Sequence, residues 1–555
     1  RRAGDIRDVH RPDHAGRGGR RDGSITTPQR KCSSSVTRNN AAKVGVASGF
    51  GRDERRSKQG IHEPSSWCET MRRIRQHAPT LGSVTMSVLL LSLRRQGVSS
   101  AGPCLQHEDE VESSAAGYPS TSRRENGGEK EHSLPKFAVI GDFGTGNSAS
   151  WEVAKMVHSW DPEYVVTTGD NWYHSPDWNT LHDRLCSPWH EWMVEEQCSG
   201  YSHRTGTQPL FMPAMGNHDW YSPEPYFHTF QSLPRNGRYY DVRKSPVHFF
   251  VLNSDESEYD GTWVGSKQHN WFIEAVASSD EPYKIVVFHH PALCTVRERI
   301  NYNMQWPFHE LGITAVLNGH MHGYERLLKN GTYYMVNGAG GCCPKGFDGY
   351  DVDIRSQVIH GYEKAGYNVH GAQKVLIHSR LIEFQFWSIN ECLIDSVSIP
   401  LLHHALFGEG TPLIATDTKV RYLDCTVPIS WTSVDFDDTL WNLSVNNLRG
   451  EHGRKVRIAF APSMKRFSYL RLRIRRIHGL SVWINNLPVW QLNVAPGDLH
   501  DHPYACTDHV SDWVETWLDG DVLSTNGTNV LSMQVHNRYD GAYGTLEIEL
   551  EGYPH

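Results

Sequence analysis

Short runs of consecutive apolar residues, each closed by a polar turn, recur from Phe137 onward. They are Phe137–Ile140, Tyr164–Val166, Leu210–Met215, Ile285–Phe288 and Ile313–Leu317. Runs this short, without polar alternation, predict strands buried on both faces. Helical spacing falls between them, over Trp151–Trp160, around Trp189–Glu196 and over Gln268–Ala277. Tyr239-Tyr240 and Val247–Leu252 flank a turn and predict a hairpin, and Thr332–Val336 and Lys374–Trp387 add strands. Strands alternating with helices predict an α/β layer fold that closes near Pro400. Near Cys425 the pattern changes to short alternating strands, among them Tyr469–Ile474, Leu480–Ile484, Val530–His536 and Gly544–Leu550. Turn residues separate them, which predicts a β-sandwich over 425–555.

The ends and joints read differently. Residues 1–70 are rich in Arg, Gly and Ser, contain no Met and show no period, so they are expected to be disordered. Met71-Arg72-Arg73-Ile74-Arg75 is a basic head, followed by an apolar stretch from Leu81 to Leu93 and small residues at Ser99 and Ala101. That order predicts a secretory signal peptide over 71–101, with the product starting at Met71. The apolar part is too short for a stable membrane span. Residues 102–134 are polar and read as a linker or propeptide, and 403–424 as a second linker. A secreted, extracellular location, or a vacuolar or lysosomal lumen, is the expectation.

Charge and cysteine sharpen this division. Residues 1–101 carry 20 Lys+Arg against 8 Asp+Glu, a net of +12; the remainder of the chain carries 35 against 55, a net of −20, summing to the −8 of the whole. The body is acidic and has no basic run suited to nucleic acid. Nine of the 11 Cys follow Ala101, a number that in a secreted chain favours some disulfides and at least one unpaired thiol. Cys186 and Cys198 are close enough in sequence to close a small loop; Cys342-Cys343 is harder to assign. Sequons stand at Asn330, Asn442 and Asn526.

Each apolar run of the first unit ends in a polar cluster. In order these are Gly141-Asp142-Phe143-Gly144, Gly169-Asp170-Asn171-Trp172-Tyr173, Gly216-Asn217-His218-Asp219, His289-His290-Pro291 and Gly319-His320-Met321-His322. Loops beyond the carboxyl ends of strands converge on one site in α/β sheets. Asp, Asn, Tyr and His collected there predict a metal site of mixed oxygen and imidazole donors, suited to Fe, Zn or Mn rather than Ca, with no thiolate.

This series resembles the calcineurin-like metallophosphoesterases and, within them, the purple acid phosphatases. Tyr173 carries the finer resemblance, and Gly323-Tyr324-Glu325-Arg326 and Asn337-Gly338-Ala339-Gly340-Gly341 extend it. The resemblance implies an αββα sandwich for the catalytic domain, residues 135–402. It implies two metal ions. One is Fe(III), held by Asp142, Asp170, Tyr173 and His322. The other is Fe(II), Zn(II) or Mn(II), held by Asp170, Asn217, His289 and His320, with Asp170 as the bridge. It implies a phosphate-ester substrate bound by Asn217 and His218, and hydrolysis of phosphomonoesters by attack of metal-bound hydroxide. His218 would contact a phosphate oxygen or protonate the leaving alkoxide. A phosphodiesterase or nucleotide pyrophosphatase with the same metals is the near alternative.

The family often supplies a further cleft His after the segment that holds His289. Here Ala292–Arg299 contains none, and Arg297 or Arg299 is the candidate for phosphate contact instead. His290, beside His289, is read as packing or as support for a ligand, and His174 as able to reach the cleft. The C-terminal unit resembles galactose-binding-like jelly-roll domains through Trp431–Asp438, Val482–Asn486 and Asn529–Asn537. That resemblance makes carbohydrate a candidate partner, with Trp483 and Trp490 as stacking residues or, preferred here, as sandwich core. An inert carbohydrate-binding surface protein is the reading from another class.

Overall fold

The computed structural model describes residues 136–193, 198, 209–342, 356–360, 370–401, 410–424, 427–461, 466–475, 478–494, 505–506, 513–525, 527–537 and 542–554. The expected signal peptide, both segments flanking it and the Asn526 sequon lie outside these residues. No helix among the described residues is long and apolar enough to cross a membrane.

Two sheets build the first module. One has six strands: β1 (Lys136–Ile140), β2 (Tyr164–Thr167), β3 (Phe211–Pro213), β11 (Gly371–Ile377), β12 (Leu381–Ser388) and β13 (Leu393–Pro400), in the order β13-β12-β11-β1-β2-β3. The other has seven: β4 (Tyr240–Lys244), β5 (Val247–Val251), β6 (Tyr283–Val287), β7 (Ala315–Asn318), β8 (Tyr324–Lys329), β9 (Thr332–Asn337) and β10 (Ser356–His360), in the order β10-β8-β9-β7-β6-β5-β4. The parallel pairs β1/β2, β2/β3, β5/β6 and β6/β7 point their carboxyl ends one way.

Side-chain alternation explains the layers. Val247, Phe249 and Val251 of β5 join the core shared with Phe137, Val139 and Val165 of the facing sheet. Phe250 and Leu252 point the other way, onto Phe272 and Val276 of the helix Lys267–Ala277. The helix Ser148–Trp160 buries Val153, Ala154 and Val157 on the outer side of the first sheet. Each large side chain buried this way contributes about 1.5–3 kcal/mol. The arrangement is the expected α/β fold, two sheets between helices.

The helix predicted around Trp189–Glu196 is present as a helical run of changing pitch, His182–Cys186, Ser187–Trp189 and His190–Trp192, and residues 194–196 lie outside the described residues. One local expectation changes. The expected linker 403–424 contains two strands, Thr411–Ile414 and Lys419–Leu423, which pair with Leu550–Gly552 and with Asn442–Val445. Pro412 is tolerated there because its strand lies at the sheet edge. Trp483 and Trp490 are 4% and 3% exposed, as the preferred sandwich-core reading expects. Trp483 packs on Trp431, and Trp490 donates through Nε1 to the Ser396 carbonyl of β13 at 2.8 Å, so neither offers a face to sugar.

The second module is a β-sandwich of a five-stranded and a six-stranded sheet. Its core includes Leu470, Leu472, Ile484 and Leu531, and continues into Tyr324, Ala339, Phe386 and Ile394 of the first module. The Cys392–Cys506 disulfide joins the same two regions.

Candidate metal centre

The loops after β1, β2, β3, β6 and β7 meet at one place, and tight backbone turns bring them there. Asp142, Asp170 and His320 have φ of 56°, 52° and 65°, the left-handed region that non-glycine residues seldom occupy. Hydrogen bonds between loops hold these turns. Asp142 N donates to Gly169 O at 3.0 Å, and His320 N donates to Asp142 Oδ2 at 2.9 Å. Two glycines are required by close approach. A Cβ on Gly216 would lie 2.2 Å from Asp170 Oδ1. One on Gly169, where φ is +100°, would lie 2.6 Å from His289 Nδ1.

Asp142, Asp170 and His322 form one group able to hold a cation. The Tyr173 hydroxyl sits among them, 3.0 Å from Asp142 Oδ1, 2.8 Å from Asp170 Oδ2 and 3.3 Å from His322 Nε2. Three oxygens thus converge with one phenolic proton between them. Burial, then Asp142 and Asp170, holds the Tyr173 phenol well above its ordinary range. Burial opposes charge on His322, yet Asp142 and the nearby Cys342 thiol push it up to about 10. Both shifts mark a place that demands positive charge.

His289, His290 and His320 form the second group. His289 Nδ1 lies 2.9 Å from the Thr168 carbonyl, which can only accept, so that nitrogen carries the proton. Nε2 faces two further acceptors, Asn217 Oδ1 at 3.1 Å and Asp170 Oδ2 at 3.4 Å. Burial again opposes charge, yet Asp170 and Asp142 carry His289 up to about 9, so without a cation Nε2 is protonated as well. A cation among these acceptors would take the place of that proton. His320 Nδ1 is 3.1 Å from the same Asn217 oxygen.

Asp170 therefore touches both groups. Gly169→Ala is expected to displace the His289 ring and weaken Zn(II) binding about 10–100-fold, the usual cost of misorienting a ligand. Equilibrium dialysis measures this, and unchanged affinity would refute it.

His218 stands at the rim. Its backbone N–H donates to Asp170 Oδ1 at 2.9 Å, and its Nδ1–H donates to His174 O at 2.6 Å. Nε2 is left to accept a proton or, once protonated, to donate one. His174 thus serves through its carbonyl, and its ring lies 6.3 Å from that of His218. Asp219, fully buried, accepts from Gly216 N, Asn171 N and Asn171 Nδ2 at 2.9, 3.1 and 2.9 Å, which fixes the Asn217–Trp220 turn. Burial and the neighbouring Asp170 push Asp219 up to about 7.

All seven residues named from sequence as metal ligands, and His218, come together here. Of the two arginines, Arg299 reaches the centre, with Nη1 3.4 Å from His320 Nε2, while Arg297 is exposed. Sequence reasoning set aside His290, whose ring lies 4.5 Å from that of His320, and Cys342, which is buried and reduced beside His322. The only signal for His290 was its adjacency to His289; Cys342 gave none beyond following the Gly340-Gly341 turn.

Residues 135–324 match a family described as calcineurin-like phosphoesterase. No curated protein matches the chain. Among solved structures, GAP50, the anchor in the inner membrane complex of Plasmodium, is similar at 14% identity and a TM-score of 0.38, over 48% of this chain and 89% of that one. A phosphatase of Mycoplasma pneumoniae is similar at 15% identity and a TM-score of 0.25, over 48% and 92%. The β-glucuronidase of Bacteroides uniformis is similar at 14% identity and a TM-score of 0.20, over 26% of this chain and 18% of that one.

Proposed function

We propose, from the premise that residues 135–324 form a calcineurin-like metallophosphoesterase domain, that the protein is a secreted binuclear acid phosphatase of the purple type that hydrolyses phosphomonoesters. One observation carries the finer reading: the Tyr173 hydroxyl lies within 3.0 Å of both Asp142 and Asp170. A buried phenol held protonated by two carboxylates ionises readily only for a hard, highly charged cation, which favours Fe(III) in that group. The imidazoles of His289 and His320 with the Asn217 amide suit Fe(II), Zn(II) or Mn(II) in the other.

When bound, such a pair of ions neutralises charge on phosphoryl oxygens and acidifies water. The residues of this chain supply the remainder. Asp170 holds the two groups at fixed separation. The Thr168 carbonyl fixes the tautomer of His289. His218, oriented by the His174 carbonyl, presents Nε2 at the rim; once protonated it donates to a phosphate oxygen or to the departing alkoxide. The Cys186–Cys198 and Cys392–Cys506 disulfides support a secreted location.

The visible spectrum and metal content of purified protein test this reading. A tyrosinate–Fe(III) charge-transfer band is expected, together with two ions per chain, and the band should vanish in Tyr173→Phe. Turnover of a phosphomonoester should exceed that of a bis-substituted phosphodiester. A colourless, iron-free but active protein would reject Fe(III) and keep the phosphoesterase; preference for the diester would reject the phosphatase.

A further inference from the structure

His290 was expected to pack or to support a ligand, and the structure details its surroundings. Its backbone N–H donates to Ser254 Oγ at 2.9 Å, and its Nδ1 lies 3.0 Å from the same oxygen. Ser254 is 0% exposed, so its hydroxyl proton needs an acceptor within the protein. Among the described residues the acceptor in reach of Ser254 Oγ is His290 Nδ1. The hydroxyl therefore donates to Nδ1, and the neutral ring carries its proton on Nε2. No described group partners that Nε2. The residue is partly exposed, and a ring nitrogen lies within 4.8 Å of ligand nitrogens of both His289 and His320.

We propose that His290 presents this Nε2–H to an oxygen of the substrate phosphate, as a substrate-binding residue and not as a third imidazole on a metal. A protonated Nε2 has no lone pair to give a cation, whereas an anionic oxygen accepts from it. Ser254 is then a positioning residue, because its hydroxyl selects the tautomer. This assigns a histidine to phosphate contact in a chain whose segment Ala292–Arg299 has none. The inference rests on the phosphoesterase reading of the site.

The test compares metal-loaded wild type, His290→Ala, His290→Gln and Ser254→Ala by equilibrium dialysis against labelled inorganic phosphate, with metal content measured on each. His290→Ala is expected to bind phosphate about tenfold more weakly with its metal content unchanged. His290→Gln, whose amide N–H reaches a similar point, should recover most of that loss. Ser254→Ala should lie between, because the ring stays but its tautomer is no longer selected. Loss of an ion from His290→Ala would make His290 a ligand and overturn the proposal. Unchanged phosphate affinity in His290→Ala would overturn it too, leaving the phosphoesterase reading intact. A wild type that holds metal yet binds no phosphate would remove both.

Discussion

Asp170→Asn is expected to lower kcat/KM for a phosphomonoester by about a thousandfold, roughly 4 kcal/mol of transition-state stabilisation. Asp170 is the one side chain that reaches Tyr173 at 2.8 Å, His289 at 3.4 Å and the His218 backbone at 2.9 Å. Burial would raise its carboxyl, but His289 and His218 hold it below the ordinary range, so it stays ionised in the metal-free protein. Asn keeps the shape and an oxygen for the His218 N–H, and removes the charge. Metal content should fall along with activity. The fold should lose stability too. His289 and His218 hold the Asp170 carboxyl below its ordinary range, so its charge is net stabilising in the metal-free fold despite its repulsion of the buried Asp219. Metal-free Asp170→Asn is therefore expected to unfold below the temperature of metal-free wild type. Activity within tenfold of wild type, or unchanged metal-free stability, would refute this account.

Most of the centre was legible because Asp142, Asp170, Asn217 and His320 each follow a glycine at a strand's end, where the close approach of another loop requires it. Gly169 against His289 and Gly216 against Asp170 are such approaches. What the sequence hid depends on contacts between distant segments. The two-residue period of a strand would send His290 away from His289, but β6 ends at Val287 and that period no longer applies. Ser254, 36 residues away, then fixes the ring. Cys342 is likewise brought beside His322 by a turn at Gly341, where φ is 141° and a Cβ would lie 2.6 Å from Ser150.

The fold divides in the same way. Runs such as Phe137–Ile140 and Ile285–Phe288 could be read as strands because both their faces are buried. Thr411–Ile414 and Lys419–Leu423 could not. They are short, partly exposed strands of the sandwich sheets, and their partners Leu550–Gly552 and Asn442–Val445 are set by tertiary pairing. Trp490 shows that an aromatic in a sandwich strand says little about ligands. Its ring serves the junction with β13.

The same strand, β13, carries the largest expected effect on stability. Asp395 of β13 accepts from Tyr324 Oη at 2.7 Å and from Arg326 Nε and Nη2 at 2.7 and 2.9 Å. Asp395 and Arg326 are both 0% exposed, and Tyr324 is 1% exposed. Burial disfavours the guanidinium charge, and Asp395 more than offsets it. Asp395→Asn removes the carboxylate that pairs with that buried charge and turns an amide N–H toward the guanidinium or the phenol. The expected cost is about 3–5 kcal/mol, seen as an unfolding midpoint lowered by roughly 6–10 °C. Combining Arg326→Met with Asp395→Leu should recover much of this loss, because a matched apolar pair carries no stranded charge. The consequence should also reach the metal centre. Tyr324 follows His322 by two residues, and its ring stacks on Phe386 at 4.1 Å, so this network anchors the loop that carries a ligand. Folded Asp395→Asn is therefore expected to bind metal more weakly than wild type at a temperature well below its midpoint. Equal metal affinity in folded protein would confine Asp395 to holding the two sheets of the first module together, and an unchanged midpoint would refute the buried pair's part in stability.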